Sequence, residues 1–191
     1  MKKIALFGGT FDPIHYGHLI LGQFILNNTD VNEIIYVPAF IAPNKEGKEA
    51  LLPKHRFAMT KLAVEDNKKM DASDLEIREG GLSYTINTIA FFKQLYPELS
   101  IIIGMDQAQA FKTWKDYSDI FRLVRIFVFQ RAGWHMNNIP ADISGHFTIL
   151  NNPLIEISSS DIKSLVKAYK SIRYQVPDIV IDYIQKNRIY K

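Results

Sequence analysis

The 191-residue chain contains no cysteine, which excludes disulfides and thiolate chemistry of any kind. It has no apolar run approaching the roughly 20 residues that a membrane-spanning helix needs. The opening MKKIALFGG places two lysines before apolar residues. That run stops at Phe7, and Gly8, Gly9 and Asp12 break up the residues beyond it, so it is too short for a signal-peptide core. A cytoplasmic location without membrane attachment is therefore expected. An excess of one charge is also missing: 23 basic and 20 acidic residues give a net charge of +3. A dedicated nucleic-acid-binding protein would carry a concentrated basic face. A local basic pocket for a small anionic molecule stays open. There is no internal repeat, low-complexity segment or linker. With 47% apolar residues, one domain over residues 1–191 around one hydrophobic core is expected.

Short apolar runs punctuated by Gly and Pro make up most of what is there. Residues 3–7 (KIALF), 33–37 (EIIYV), 100–103 (SIII), 125–129 (RIFVF) and 147–150 (FTIL) read as buried strands. Residues 75–78 form a weaker strand candidate before Gly80-Gly81. Helical patterns fall over 19–26, from Pro53 to about residue 65, and over 84–95, 160–168 and 177–186, with Pro53 suited to a first helical turn. Residues 39–52 read as a long loop. Strands alternating with helices predict an α/β fold: a doubly wound, mostly parallel sheet with helices on both faces. In such sheets ligands bind beyond the carboxyl ends of the strands.

The stretch after the first strand, GGTFDPIHYGH (residues 8–18), occupies such an end. Gly8 and Gly9 allow a sharp turn and close approach of backbone N–H groups to a ligand. A helix beginning near Gly17 or His18 points its positive end at the same spot, which favours phosphate. His15 and His18, three residues apart, share one face of a first turn and can donate to phosphate oxygens. The segment is neither a Walker A loop nor a GxGxxG fingerprint, and H-x-x-H without glutamate lacks the base of a zinc protease. Alone, two such histidines more often cap a helix, but GGTFDP directly upstream on a strand end favours the ligand role.

GGTFDPIHYGH resembles the H-x-G-H signature of the nucleotidyltransferase superfamily. The whole chain resembles the bacterial nicotinate mononucleotide adenylyltransferase family, which implies a Rossmann-like fold. The resemblance implies that His15 and His18 contact the phosphates of ATP, with Thr10 beside them and Gly8, Gly9 and Phe11 in the same loop. ISSSDIK (157–163) stands where the family has I-S-S-T-x-I-R. Ser158, Ser159, Ser160 and Lys163 are then phosphate-side residues, although Ser158–Ser160 also suit plain helix capping. Lys163 replaces an arginine, keeping the charge but losing the planar fork. Gly104 and Asp106 match a G-x-D on the adenosine side, where a carboxylate accepts from ribose hydroxyls; Asp106 is also a natural helix cap.

On the acceptor side, SYTINT (83–88) resembles S-Y-T-x-D-T, implying that Tyr84 and Thr85 lie against the nicotinate, with Asn87 in place of aspartate. Trp114 matches a tryptophan that stacks on the pyridine ring, although the residue alone reads as core. Asn44 and Lys45 resemble the end of P-P-H-K, with Asn44 replacing the histidine. His55 and Arg56, and Arg173 and Tyr174 within SIRYQVPDIV (171–180), read as features of the fold. His135 and His146 read as solvent-exposed.

These residues imply transfer of an adenylyl group from ATP to nicotinate mononucleotide, giving deamido-NAD and pyrophosphate. No side chain in the motifs looks like a nucleophile, so direct attack by the mononucleotide phosphate is expected. Magnesium, held mainly through ATP phosphates, is the expected cofactor, since the motifs hold no dense carboxylate cage. Open alternatives are another acceptor, such as the amide mononucleotide or phosphopantetheine, and a nucleotide-binding or sensing protein of the same fold.

Overall fold

The computed structural model describes residues 1–43, 47 and 50–190. Among them, six strands form one sheet in the order β3-β2-β1-β4-β5-β6, and every neighbouring pair is parallel. The strands are β1 (Lys3–Gly9), β2 (Glu33–Pro38), β3 (Met70–Ala72), β4 (Glu98–Gly104), β5 (Arg125–Phe129) and β6 (Phe147–Ile149). The inner strands are apolar at successive positions because both sheet faces are covered. Ala5 and Phe7 of β1 join one core with Ile34, Tyr36, Ile102 and Phe127, whereas Ile4 and Leu6 join the other with Val37, Ile101, Ile103 and Ile126.

Four helices close the first face: α1 (Tyr16–Asn28), α2 (Pro53–Val64), α8 (Ser159–Lys167) and α9 (Asp178–Lys186). They bury Ile25, Met59, Ile162 and Val180, among others. The second face is covered by α3 (Leu75–Glu79), α4 (Thr85–Leu95), α5 (Met105–Gln109), α6 (Tyr117–Leu123) and α7 (Ala141–Ser144). Leu75, Ile89, Ala108, Ile120 and Ile143 fill that core. From β1 the chain steps outward through β2 to β3, then returns to the other side of β1 with β4. A crevice therefore opens between the carboxyl ends of β1 and β4, where the crossovers part to opposite sides.

The structure corrects the strand expected at 75–78. That segment is helix α3, stabilised where Arg78 Nε donates to Asp74 Oδ1 at 2.9 Å, four residues back. Gly80 closes it with φ 69°, a left-handed stop that glycine adopts without strain. The edge strand is instead Met70–Ala72, only three residues long with Asp71 at its centre, which gives no periodic signal. Helix α1 starts at Tyr16, earlier than the expected Gly17 or His18, and His15 is its N-cap rather than part of its first turn. Helices α5, α6 and α7 have four to seven residues each, too short for their periodicity to be read from the sequence.

Arg56 welds the loops of this end together. Its side chain is almost fully buried and donates to three backbone carbonyls: Leu51 (2.8 Å), Thr10 (2.8 Å) and Phe40 (2.9 Å). His55 Nδ1 lies 2.9 Å from the Tyr183 hydroxyl, joining α2 to α9. Both residues serve the fold. His135 and His146 are exposed, and the His146 ring stacks on Phe121. No helix among the described residues is long and apolar enough to cross a membrane.

Candidate active site

A cleft of about 790 Å³ lies over the carboxyl ends of β1, β4 and β5. It gathers residues from across the chain: Gly8 to Asp12, His15 and His18, Tyr84 and Thr85, Asp106, Trp114, Arg131, and Ser158 to Ser160 with Lys163. Residues as far apart as Asp12 and Lys163, 151 positions from each other, thus meet, because parallel strands deliver all the loops at their carboxyl ends to one edge. Gly104 ends β4 just beneath this wall and caps α5. Asn44 and Lys45 lie outside the described residues. Asn87 is exposed and is not part of the cleft wall.

The histidine pair is built by the start of α1. The rings of His15 and His18 stack with centroids 3.7 Å apart and planes 26° from parallel. Close approach of Gly17 permits this: a Cβ there would sit 2.9 Å from His15 Nδ1. The backbone N–H of His15 donates to His18 Nδ1 at 3.3 Å, so in a neutral His18 ring the proton resides on Nε2. Phe11 and Phe7 meet the His18 ring edge-on and fix it from below. Phe11 itself is 2% exposed and belongs to the core. His15 is buried, and its Nδ1 has no hydrogen-bond partner. Burial, and secondarily the Arg131 charge, lower its pKa to about 4, so at neutral pH it is an uncharged imidazole.

A second unsatisfied atom belongs to a residue of the same cleft wall. Asp106, in the first turn of α5, accepts from Arg131 Nη1 at 3.1 Å through Oδ2, while its buried Oδ1 has no partner. An unpaired buried acceptor is costly. Gly104 makes room for it, since a Cβ there would collide with that oxygen and press on the Phe129 ring. Sequence reasoning missed Arg131. It follows the carboxyl end of RIFVF, and the rule that drew attention to the other strand ends applies there too. Asn152 steadies this corner by accepting from the Gln130 N–H (2.7 Å) and donating to the Gln130 and Pro153 carbonyls (3.2 and 2.8 Å).

At the start of α8 the serines do different things. Ser158 is the N-cap: its Oγ accepts from the Asp161 N–H at 3.1 Å and donates to Asp161 Oδ2 at 2.6 Å. Ser159 Oγ donates to the Pro13 carbonyl at 2.8 Å, tying α8 to the first loop. The capping function that these serines suit is therefore present. Lys163 Nζ lies 2.8 Å from Asp12 Oδ2, and the side chain keeps 30% of its surface exposed on the cleft wall.

The opposite wall holds the SYT segment. Tyr84 is the N-cap residue of α4, and Thr85 its first helical residue. Lys115 Nζ sits 4.8 Å above the Tyr84 ring, and Trp114 packs against Phe111 at 4.8 Å between centroids. Beneath them, buried Thr88 donates to Glu76 Oε1 at 2.5 Å. Burial pushes the Glu76 carboxyl above its usual range, against the hydrogen bonds from Thr88 and Ser83. Ser83 Oγ accepts from the Phe40 N–H at 2.8 Å. Its own N–H donates to the Ile41 carbonyl at 2.9 Å. These bonds clasp the loop after β2 to this wall. Lys115 and Glu76 escape a sequence reading as well, because neither belongs to a motif with local spacing.

A cytidylyltransferase-like family model matches residues 6–165. A relative from Symbiobacterium thermophilum is 36% identical over 199 residues, spanning 100% of this chain and 96% of its own length. One from Caldicellulosiruptor saccharolyticus is 36% identical over 195 residues, spanning 99% of both. Both carry the name probable nicotinate-nucleotide adenylyltransferase. Among solved structures, Plasmodium falciparum nicotinic acid mononucleotide adenylyltransferase complexed with NaAD superposes with a TM-score of 0.80 at 22% identity, over 100% of this chain and 98% of that one. The last comparison concerns the fold alone, whereas match length and identity to the two bacterial relatives decide the family. By that measure the chain belongs to the cytidylyltransferase-like family and, within it, to the nicotinate-nucleotide adenylyltransferases.

Proposed function

We propose that this chain, as one nucleotidyltransferase domain in the cytoplasm, transfers the adenylyl group of ATP to nicotinate mononucleotide. The products are deamido-NAD and pyrophosphate. One observation carries the reading: the stacked His15–His18 pair stands at the N-terminus of α1, in a cleft that also holds Lys163 and the unpaired oxygen of Asp106. That is a donor cluster for phosphates beside an acceptor for a hydroxyl.

A phosphate oxygen of the mononucleotide forms a bond to the α-phosphorus of ATP. The bond from that phosphorus to the bridging oxygen breaks, and pyrophosphate takes the electron pair. The attacking phosphate is already ionised near neutral pH, so the site needs no strong base. It must position the reactants and stabilise charge. His15 and His18 donate to oxygens around the α-phosphate, with Gly8, Gly9, Thr10 and the Phe11 backbone shaping the loop. The α8 N-terminus, with Ser158 to Ser160 and Lys163, receives the departing phosphates. Asp106 Oδ1 accepts from a ribose hydroxyl beside Gly104. Tyr84, Thr85 and Trp114 contact the mononucleotide.

Among the described residues no group of three or more His, Asp or Glu could hold a metal ion. A magnesium ion accompanying ATP fits such a site through phosphate oxygens and water, and it would neutralise part of the triphosphate charge. The test is pyrophosphate release with ATP and magnesium, offering nicotinate mononucleotide, its amide and phosphopantetheine in parallel. Preference for the first is expected. Preference for another acceptor would overturn the substrate, and ATP binding without release would overturn the reaction.

A further inference from the structure

Asp12 is a carboxylate with 5% exposure set in the wall of an anion-binding cleft. A bare negative charge there would oppose the phosphates of ATP. Both of its oxygens are occupied, however, and by different partners. Oδ2 accepts from Lys163 Nζ at 2.8 Å, and Oδ1 accepts from the Tyr190 hydroxyl at 2.7 Å. The three residues come from the first loop, from α8 and from the segment after α9. Ile189, next to Tyr190, is buried in the same core, and its N–H donates to the Ile184 carbonyl at 3.0 Å, which holds the tyrosine in place.

This arrangement has a chemical use. A lysine ammonium has three N–H donors on a flexible four-carbon stem. One donor is given to Asp12, and the other two remain for the cleft that Lys163 lines. The carboxylate tether thereby orders a side chain that lacks arginine's rigid fork. The tether holds only if the carboxylate itself cannot turn, and the Tyr190 hydroxyl fixes its second oxygen. Burial and the neighbouring Asp12 charge keep that hydroxyl protonated, as a donor.

We propose that Tyr190 is a positioning residue for Lys163, acting through Asp12 on the binding of ATP phosphates. The proposal rests on the reading of Lys163 as a phosphate contact. A double-mutant cycle on the full-length protein tests both separately, with KM for ATP, KM for the mononucleotide and kcat measured for Tyr190→Phe, Lys163→Gln and the pair. Lys163→Gln is expected to raise KM for ATP by about tenfold or more, the effect of losing a charge-assisted hydrogen bond. Tyr190→Phe should raise it by about 3- to 10-fold, the size of one lost hydrogen bond, with KM for the mononucleotide unchanged.

In the Lys163→Gln background, Tyr190→Phe should add nothing to KM for ATP, because no cation remains to be positioned. Additive effects, or equal losses on both substrates, would make Tyr190 merely structural and overturn the proposal. If Lys163→Gln leaves KM for ATP unchanged, the phosphate reading of Lys163 fails and takes the proposal with it. That outcome differs from additivity in the single variant alone. Should Tyr190→Phe lose cooperative unfolding, Asp12→Asn tests the link through which Tyr190 acts: its rise in KM for ATP should vanish in the Lys163→Gln background, and a rise that persists there would overturn the proposal.

Discussion

At the scale of single residues, the histidine pair divides its work by environment. His15 is buried and neutral, whereas His18 receives the His15 backbone N–H on Nδ1, which in a neutral ring leaves the proton on Nε2. Replacing His18 by alanine removes one preorganised donor and should lower kcat by about 10²–10³-fold. Circular dichroism and melting temperature should stay close to the parent values. A His18→Ala variant with most of the parent turnover would remove His18 from the mechanism. Gly17→Ala tests how closely the histidine pair is packed. Alanine favours the helix by about 1 kcal/mol over glycine, but its Cβ would press on the His15 ring. Clearly reduced turnover with a melting temperature at or below the parent value is expected, read by thermal melting beside the pyrophosphate assay.

At the scale of elements, each helix that points at the cleft is held by a cap or a tie rather than by propensity alone. Helix α8 begins at Ser158, whose hydroxyl satisfies the Asp161 N–H. Ser158→Ala should cost about 1 kcal/mol of stability, seen as a lower urea midpoint with an unchanged slope. It should also loosen Lys163, which rides on the first turns of the same helix, and so raise KM for ATP more than KM for the mononucleotide. Strand ends and capping serines were legible in the sequence because their signals are local: an apolar run stopped by glycine, or a serine before an amphipathic turn. Helix α3 was not. Leu75 and Ile77 alternate as a strand would, and only packing of Leu75 and Glu76 against the sheet decides for the helix. The short edge strand Met70–Ala72 gains its structure from pairing with β2, not from its composition.

At the scale of the whole molecule, the cleft couples to global stability. His15 has an ordinary pKa of 6.5, lowered in the folded chain to about 4. Above pH 6.5 both states hold the ring neutral, and it adds no pH dependence. Between 6.5 and 4 the unfolded chain binds a proton that the folded chain refuses, so stability falls as pH falls, by about 3 kcal/mol at the lower limit. Urea unfolding at pH 7.5 and pH 5 should show the parent losing about 2 kcal/mol more than His15→Gln over that interval. Equal losses would mean that the ring accepts its proton in the folded state.

Sequence alone determined the alternation of strands and helices, the loop GGTFDPIHYGH after the first strand, and a set of polar side chains that the structure gathers at the cleft. Strand ends are local patterns, and the parallel sheet delivers their loops to one edge, whereas Tyr84, Thr85 and Trp114 were picked out only through the resemblance of their motifs to a known family. Tertiary structure alone decided which charges meet. Asp12 and Tyr190 are 178 residues apart and share one hydrogen bond. Arg131 finds Asp106, Glu76 finds Thr88, and Arg56 collects three carbonyls from two loops. A buried polar group must find a partner wherever the chain brings one, and no spacing in the sequence encodes where that is.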